Sequence, residues 1–484
     1  MAMGGHVNLI VGIGLSAILI ASAGIPPAMS QVVPSVSLPI KDCKPLISAN
    51  NNFVEIGFLP QPNRLPTTGS VKMTAVFVDF SDEPAQIGAQ QYFSQFVRQG
   101  LSHIEEFSYG QVNFDIDGPH GWIRMPLPSS DYPFYRGMSN EEFRTFAESA
   151  LREADPNVDF SQTDGFIVVV PPSIKTGFDV SPAFVETPQT GIRVDGNVLM
   201  NGTVIATDAP WARPLVLAHE ILHTMGLVDL YSFESTPPDF ATQHEFVGPY
   251  GAMGDITGRA PNLFAWERWV LNWIADEQVT CLGQGGHTLQ LHSVNRDSQG
   301  SRIGVMPLGG SRFLALEART SSGLDSRGFN GVLPYIVDPS IPSGYGPIRV
   351  PKDSNGSIME PLKVGMTLAL EGVGIEVVSR LGNSFAVRVY SPAPSPTAPG
   401  AVVGAKAIRV LGSKVTLSWR EPLHTGWAPV TRYEYRVGKG PWTATSETRV
   451  SLRAPKRGRS LMIEVRAVNS QGFGPSSRLT YRGR

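Results

Sequence analysis

Apolar and polar positions change rhythm three times along this chain. Residues 74–80 (TAVFVDF) form a nearly unbroken apolar run, ended by Ser81, Asp82 and Pro84, and predict a buried strand. Across residues 89–107 apolar side chains recur at Phe93, Phe96, Val97, Leu101 and Ile104, the spacing of one helix face. Residues 110–116 predict another strand. Ser139 followed by Glu142 predicts a capping box, opening a helix with Phe143, Phe146, Ala147, Ala150 and Leu151 on its apolar face. Residues 166–170 are again continuously apolar, closed by Pro171 and Pro172. Strands alternating with helices predict an α/β (α+β) domain, placed at residues 71–280.

Beyond it the rhythm shortens. The runs at 288–291, 313–317, 332–337 and 386–389 are β-prone and broken by Gly, Pro, Asn and Ser, so residues 281–390 predict a β-rich domain packed on the first. Residues 391–400, SPAPSPTAPG, read as a Pro-rich extended linker that gives the C-terminal module mechanical independence. In residues 401–484 strict alternation returns, at Val415, Leu417 and Trp419 and at Ile463, Val465 and Ala467. With Trp419 in the second strand, Tyr433 and Tyr435 in the third and the run VRAVNSQGFGPSS at 465–477, this module resembles a fibronectin type III domain, which implies a β-sandwich. Leu461 stands where that family usually carries a corner tyrosine, and the absence of Arg-Gly-Asp from the module means integrin binding is not implied. Residues 31–70, rich in Pro, Asn and Ser, read as an irregular lead-in or a short pro-segment. The expected whole is multidomain.

Composition adds a compartment and a charge asymmetry. The 484 residues fit two to four domains, and 50 Gly with 40 Pro favour turns and loops over a helical bundle. A net charge of −2 hides 16 basic against 4 acidic residues in 395–484, leaving 24 against 38 in 1–394. A basic module on an acidic body is drawn to anionic surfaces or cell-wall polymers; an inert solubilising surface is the alternative, and no nucleic-acid partner is expected. Residues 1–30 read as an export signal: an apolar run at 9–20 precedes small residues at Ala21, Ser22, Ala23, Ala28 and Ser30. Its first residues hold no Lys or Arg, only His6, and the apolar stretch 7–25 leaves an uncleaved anchor as the alternative to a secreted chain with no transmembrane segment. The only cysteines, Cys43 and Cys281, are expected to form one disulfide; the other reading makes Cys43 a thiolate that blocks a metal in a latent form.

That metal would belong to the run LAHEILHTMGLVDLY at 217–231. His219 and His223, four residues apart on a helix, share a face and reach one ion through their imidazoles. Glu220 lies beside the first ligand, placed to take a proton from metal-activated water and pass it to a leaving amine. Pro214 suits the first turn of this helix and Gly226 its end, a turn that brings Asp229 back as an oxygen ligand. Three protein ligands leave the open position that a catalytic Zn2+ needs. Chance yields a bare H-E-x-x-H in about one such chain in a hundred, and the Gly and Asp lower those odds about a hundredfold further. Surrounding Leu217, Ile221, Leu222 and Leu227 disfavour a merely solvated helix.

The pattern H-E-x-x-H-x-x-G-x-x-D is similar to that of metzincin-like peptidases. Their methionine turn would correspond to Met253 in GPYGAMGD, 24 residues after Asp229. More widely the chain resembles the immune inhibitor A-type secreted metallopeptidases, in VFVDFSD (76–82), SYGQVNFDIDGPHGW (108–122), VDFSQTDGFIVVVPP (158–172), YGAMGD and NLFAWERWVLNWI (262–274). The resemblance covers residues 70–390 and implies zinc, hydrolysis of extracellular protein or peptide substrates and broad substrate choice. Asp255 and Glu267 are alternatives to Asp229 as third ligand. His244 and Tyr250 are candidates to reach the transition state. Asp79 and Asp82 are read either as Ca2+ ligands or as turn caps. The competing function is a non-catalytic surface or matrix protein acting through the fibronectin-like module.

Overall fold

The long apolar run becomes the centre of a sheet. In a computed structural model, which describes residues 37–46, 56–58, 62–175, 177–209, 213–234, 240–353, 356–409 and 414–483, it lies in strand Gly69–Asp79. The expected export segment falls outside the described residues. Val112–Asp117 and Trp122–Arg124 pair in parallel with one edge of this strand and Gly165–Val169 with the other, followed by Asn201–Ile205, also parallel. Ala183–Val185 closes the sheet as an antiparallel edge strand. Continuous apolarity follows from burial on both faces. One face carries helix Asn140–Ala154, whose Ser139–Glu142 capping box forms as expected; the other carries helices Arg98–Phe107 and Leu215–Thr224.

The β-rich part is two sheets around their own core. One has Gly285–His292, Ser384–Ser391, Val373–Leu381 and Thr367–Leu370 in that order; the other runs from Ile348–Arg349 through Gly331–Val337, Arg312–Arg319 and Ile303–Gly309 to Val279–Cys281. A boundary after residue 280 would therefore cut a strand. The second sheet also shares a core with the α/β domain: Phe313, Ala315, Leu333, Tyr335 and Val337 pack with Trp266 and the motif helix in one buried cluster. A buried polar network crosses the same seam, where Arg319 donates to the Asn262 carbonyl and to Asp325.

The lead-in belongs to this core as well. Ile56, Phe58 and Leu65 are buried, Trp266 Nε1 donates to the Ile56 carbonyl, and Leu65 N–H donates to Thr224 O at the end of the motif helix. Cys43 is bonded to Cys281 (Sγ–Sγ 2.13 Å), which leaves no thiolate for the latent-metal alternative.

Strands within residues 403–409 and 414–482 form sheets of three and five strands around Leu417, Trp419, Tyr433, Ile463 and Val465. The Pro-rich segment does not give this sandwich independence. Ala393 N–H donates to Gly372 O on one side, while Thr397 and Gly400 N–H donate to Gly426 O and His424 O on the other. Trp427 packs edge-on against Tyr390 (5.6 Å), and Thr425 N–H donates to Thr367 Oγ1. Proline removes backbone donors but leaves its neighbours' N–H groups to be satisfied, and here both domains satisfy them. Among the described residues no helix is long and apolar enough to cross a membrane.

Candidate metal centre

The motif helix is apolar nearly all round, so it is buried on all sides and its few polar groups are held in place by packing. Pro214 stands at its N-cap position without a side-chain cap, and Gly226, at φ +110°, turns the chain back where a side chain would be strained. That reversal returns Asp229 to the helix face carrying both histidines. His219 Nε2 lies 3.1 Å from His223 Nε2 and 3.1 Å from Asp229 Oδ1; His223 Nε2 is 3.3 Å from the same oxygen.

The other ring nitrogens settle where the protons are. His219 Nδ1 is 2.9 Å from Ala252 O, and His223 Nδ1 is 2.9 Å from Leu227 O. Carbonyl oxygens only accept, so in the neutral rings the proton sits on Nδ1 and each Nε2 presents a lone pair. Asp229 Oδ1 is buried with no hydrogen-bond donor. Three lone-pair atoms thus face one another with nothing positive between them, a costly arrangement that a cation relieves. A tetrahedral zinc with bonds of about 2.0–2.1 Å keeps its ligand atoms about 3.3 Å apart, close to the separations found. The donor set fits the ion.

The electrostatics are those of a shared charge. Burial pushes the Asp229 carboxyl up, but His223 and His219 outweigh it and hold it well below the ordinary range. Burial opposes charge on both imidazoles, and Asp229 raises them above their usual value. Glu220, also buried, does not join the triangle. Burial pushes it up to about 8, only partly offset by His219.

The turn around Met253 supports the cluster from below. Ala252 O orients His219, Leu230 N–H donates to Met253 O (2.9 Å), and the Met253 side chain is fully buried. A cavity of about 470 Å³ opens over the three donors, with Ala183, Val185, Asp208, Tyr231, His244 and Asp255 among its walls. The alternatives fare differently. Asp255 borders the cavity, 3.9 Å from His244 Nε2, but does not meet the donor atoms. Glu267 is buried elsewhere and accepts from Phe264 N–H, because it caps the Ala265–Val270 helix. Tyr250 lies outside the cavity, its hydroxyl donating to Met359 O. Asp79 is held by Arg124 and Ala85 N–H, and both Asp82 oxygens accept from Ser129, so these carboxylates act as turn and strand anchors.

Tyr231 was not singled out from the sequence. Its ring stacks at 6.2 Å on His219, and burial, with the nearby Asp229 charge, raises its pKa well above normal. Its place two residues beyond Asp229 was the only available signal.

No family model and no curated protein matches the chain. Solved structures similar to part of it include fibronectin type III domains. The fourth such domain of a human protein is 17% identical over 18% of this chain and 82% of its own, with a TM-score of 0.17. The sixth such domain of human fibronectin type III domain containing protein 3 is 16% identical over 19% of this chain and 90% of its own, also at 0.17. Titin kinase with its flanking domains is 22% identical at a TM-score of 0.17, over 18% of each chain. The chain's own sheets make it multidomain and β-rich, and fibronectin type III domains are among its structural neighbours.

Proposed function

We propose that this chain is an exported zinc-dependent endopeptidase acting on extracellular proteins and peptides. The observation that carries this reading is the convergence of His219 Nε2, His223 Nε2 and Asp229 Oδ1 beside the buried Glu220 carboxylate. Zinc held by these three would supply Lewis acidity, polarising a peptide carbonyl and acidifying water. Glu220 takes the proton from the attacking water and delivers it to the departing amine. Glu220 borders the cavity beside the donor atoms, which places it for both steps.

The sheet edge supports a polypeptide substrate. Ala183–Val185 is an edge strand and borders the cavity, so an extended peptide aligns along it through backbone hydrogen bonds. The immune inhibitor A-type resemblance points the same way, and the basic terminal module would hold the enzyme on an anionic surface. The test is casein digestion by the purified full chain, with and without a chelator, beside Glu220→Gln. Digestion should stop with chelator and return with zinc. The variant should keep its zinc and lose about 100- to 10,000-fold in rate. Chelator-insensitive digestion, or a variant with more than about a tenth of wild-type activity, refutes the reading.

A further inference from the structure

Two of the three donors are set by one helix, whereas Asp229 lies on irregular chain and needs outside support. Part of it comes from 114 residues away, in the β-rich part. Asp229 N–H donates to Ser343 Oγ (3.0 Å), and Asp229 O accepts from Gly344 N–H (3.0 Å). Phe233 N–H then donates to Gly344 O (3.0 Å). Both backbone ends of the residue are therefore held by one turn. Gly344 is needed there twice over: its φ is +77°, and a Cβ would lie 2.2 Å from the Phe233 ring.

The turn is itself rigid. Its base closes through Asp338 N–H to Pro347 O (2.8 Å), and Ser311 and Ser340 hydroxyls donate to Asp338 (both 2.6 Å). Arg349 donates to the carbonyls of Tyr345 (2.6 Å) and Gly346 (3.1 Å) while stacking 4.3 Å from the Phe246 ring. Ser343 also borders the cavity.

We propose that residues 343–344 are a positioning element of the metal centre, fixing the Asp229 carboxylate so that metal affinity depends on the β-rich part. This rests on the reading that His219, His223 and Asp229 hold a cation. Partners of metal ligands commonly change affinity about 10- to 100-fold when removed.

The test is zinc affinity of the full chain, measured with zinc ions against a chromophoric chelator. Ser343→Ala should raise the Kd about 10-fold or more, Gly344→Ala should act in the same direction, and Ser343→Thr should restore wild-type binding. In an Asp229→Ala background, Ser343→Ala should have no further effect, because the turn acts only through that residue. Unchanged affinity in Ser343→Ala, or an equal loss in both backgrounds, overturns the proposal. Zinc binding that is indifferent to His219→Ala and His223→Ala overturns the metal site itself, and the proposal with it. His-dependent binding that ignores Ser343 removes the proposal alone.

Discussion

Buried Glu220 and half-buried Asp229 lie beside the same imidazoles, yet their surroundings drive them in opposite directions. Burial pushes both up, but for Asp229 the two histidines outweigh it and hold the carboxyl low, while for Glu220 they do not and it is pushed up to about 8. On the proposed reading, one remains an anionic ligand and the other exchanges a proton with water. Asp229→Ala should weaken zinc binding, with activity partly restored by excess metal, and so differ from Glu220→Gln. Met253 tests another residue-level distinction. The turn acts on the site through the carbonyls of Ala252 and Met253, so Met253→Leu should leave zinc affinity near wild type. A near-isosteric swap of this kind costs less than about 1.5 kcal/mol of stability, measurable by urea unfolding. A large loss of zinc in a stably folded Met253→Leu would mean that the thioether matters in its own right. His219, Glu220 and His223 were legible because helical spacing alone sets their relations, and Asp229 because Gly226 marks the reversal. Ser343 was not, since nothing local links a loop serine to a carboxylate 114 positions earlier.

At the scale of elements, period-two and continuous apolar runs located most strands, and Ser139 with Glu142 located a helix start, because these signals are local. The relations between elements were less legible. Ala183–Val185 is three residues long, too short for a pattern, yet it forms the cavity wall. The terminal sandwich carries a ladder that spacing also concealed. Glu434 accepts from Arg432 (3.0 Å) and Arg466 (2.7 Å), and Glu464 from Arg436 and from Arg478 (2.8 Å). Arg436 and Arg466 stack on Trp442 at 4.5 and 4.0 Å. Burial would raise the Glu434 carboxyl, but Arg466 and Arg432 outweigh it; Glu464 is lowered chiefly by its bonds to Arg436 and Arg478. A depressed folded pKa contributes stability that is present above the ordinary value of 4.5 and lost as pH falls through the folded value. The sandwich should therefore unfold at lower urea concentration as pH drops below about 4.5. Glu434→Gln with Glu464→Gln should flatten that dependence. An unchanged pH profile in the double variant would assign the acid sensitivity to other carboxylates.

For the whole molecule, the proposed metal site draws on more than one domain. The α/β domain and the β-rich part share a buried core and the Ser343–Asp229 contact, and the Cys43–Cys281 bridge ties the lead-in to the second sheet, so together they form one folded unit. A chain ending at residue 280 would cut strand Val279–Cys281 before its cysteine and expose Trp266 and Trp269, and it should be recovered only as aggregate. The terminal sandwich stands apart in another way. It is fastened to the rest through Trp427, Thr425 and the Pro-rich segment, yet among the described residues none beyond 343 borders the metal cavity. A chain ending at Ala393 keeps the bond from its N–H to Gly372 and should cleave a short fluorogenic peptide with near wild-type kcat/KM. It should lose retention on an anionic surface that is salt-sensitive in the full chain, because 16 of the 40 basic residues lie in 395–484. Loss of peptide cleavage with the metal still bound would show that the sandwich acts on the cavity through the β-rich part. Equal retention by the two chains would remove any role for its charge.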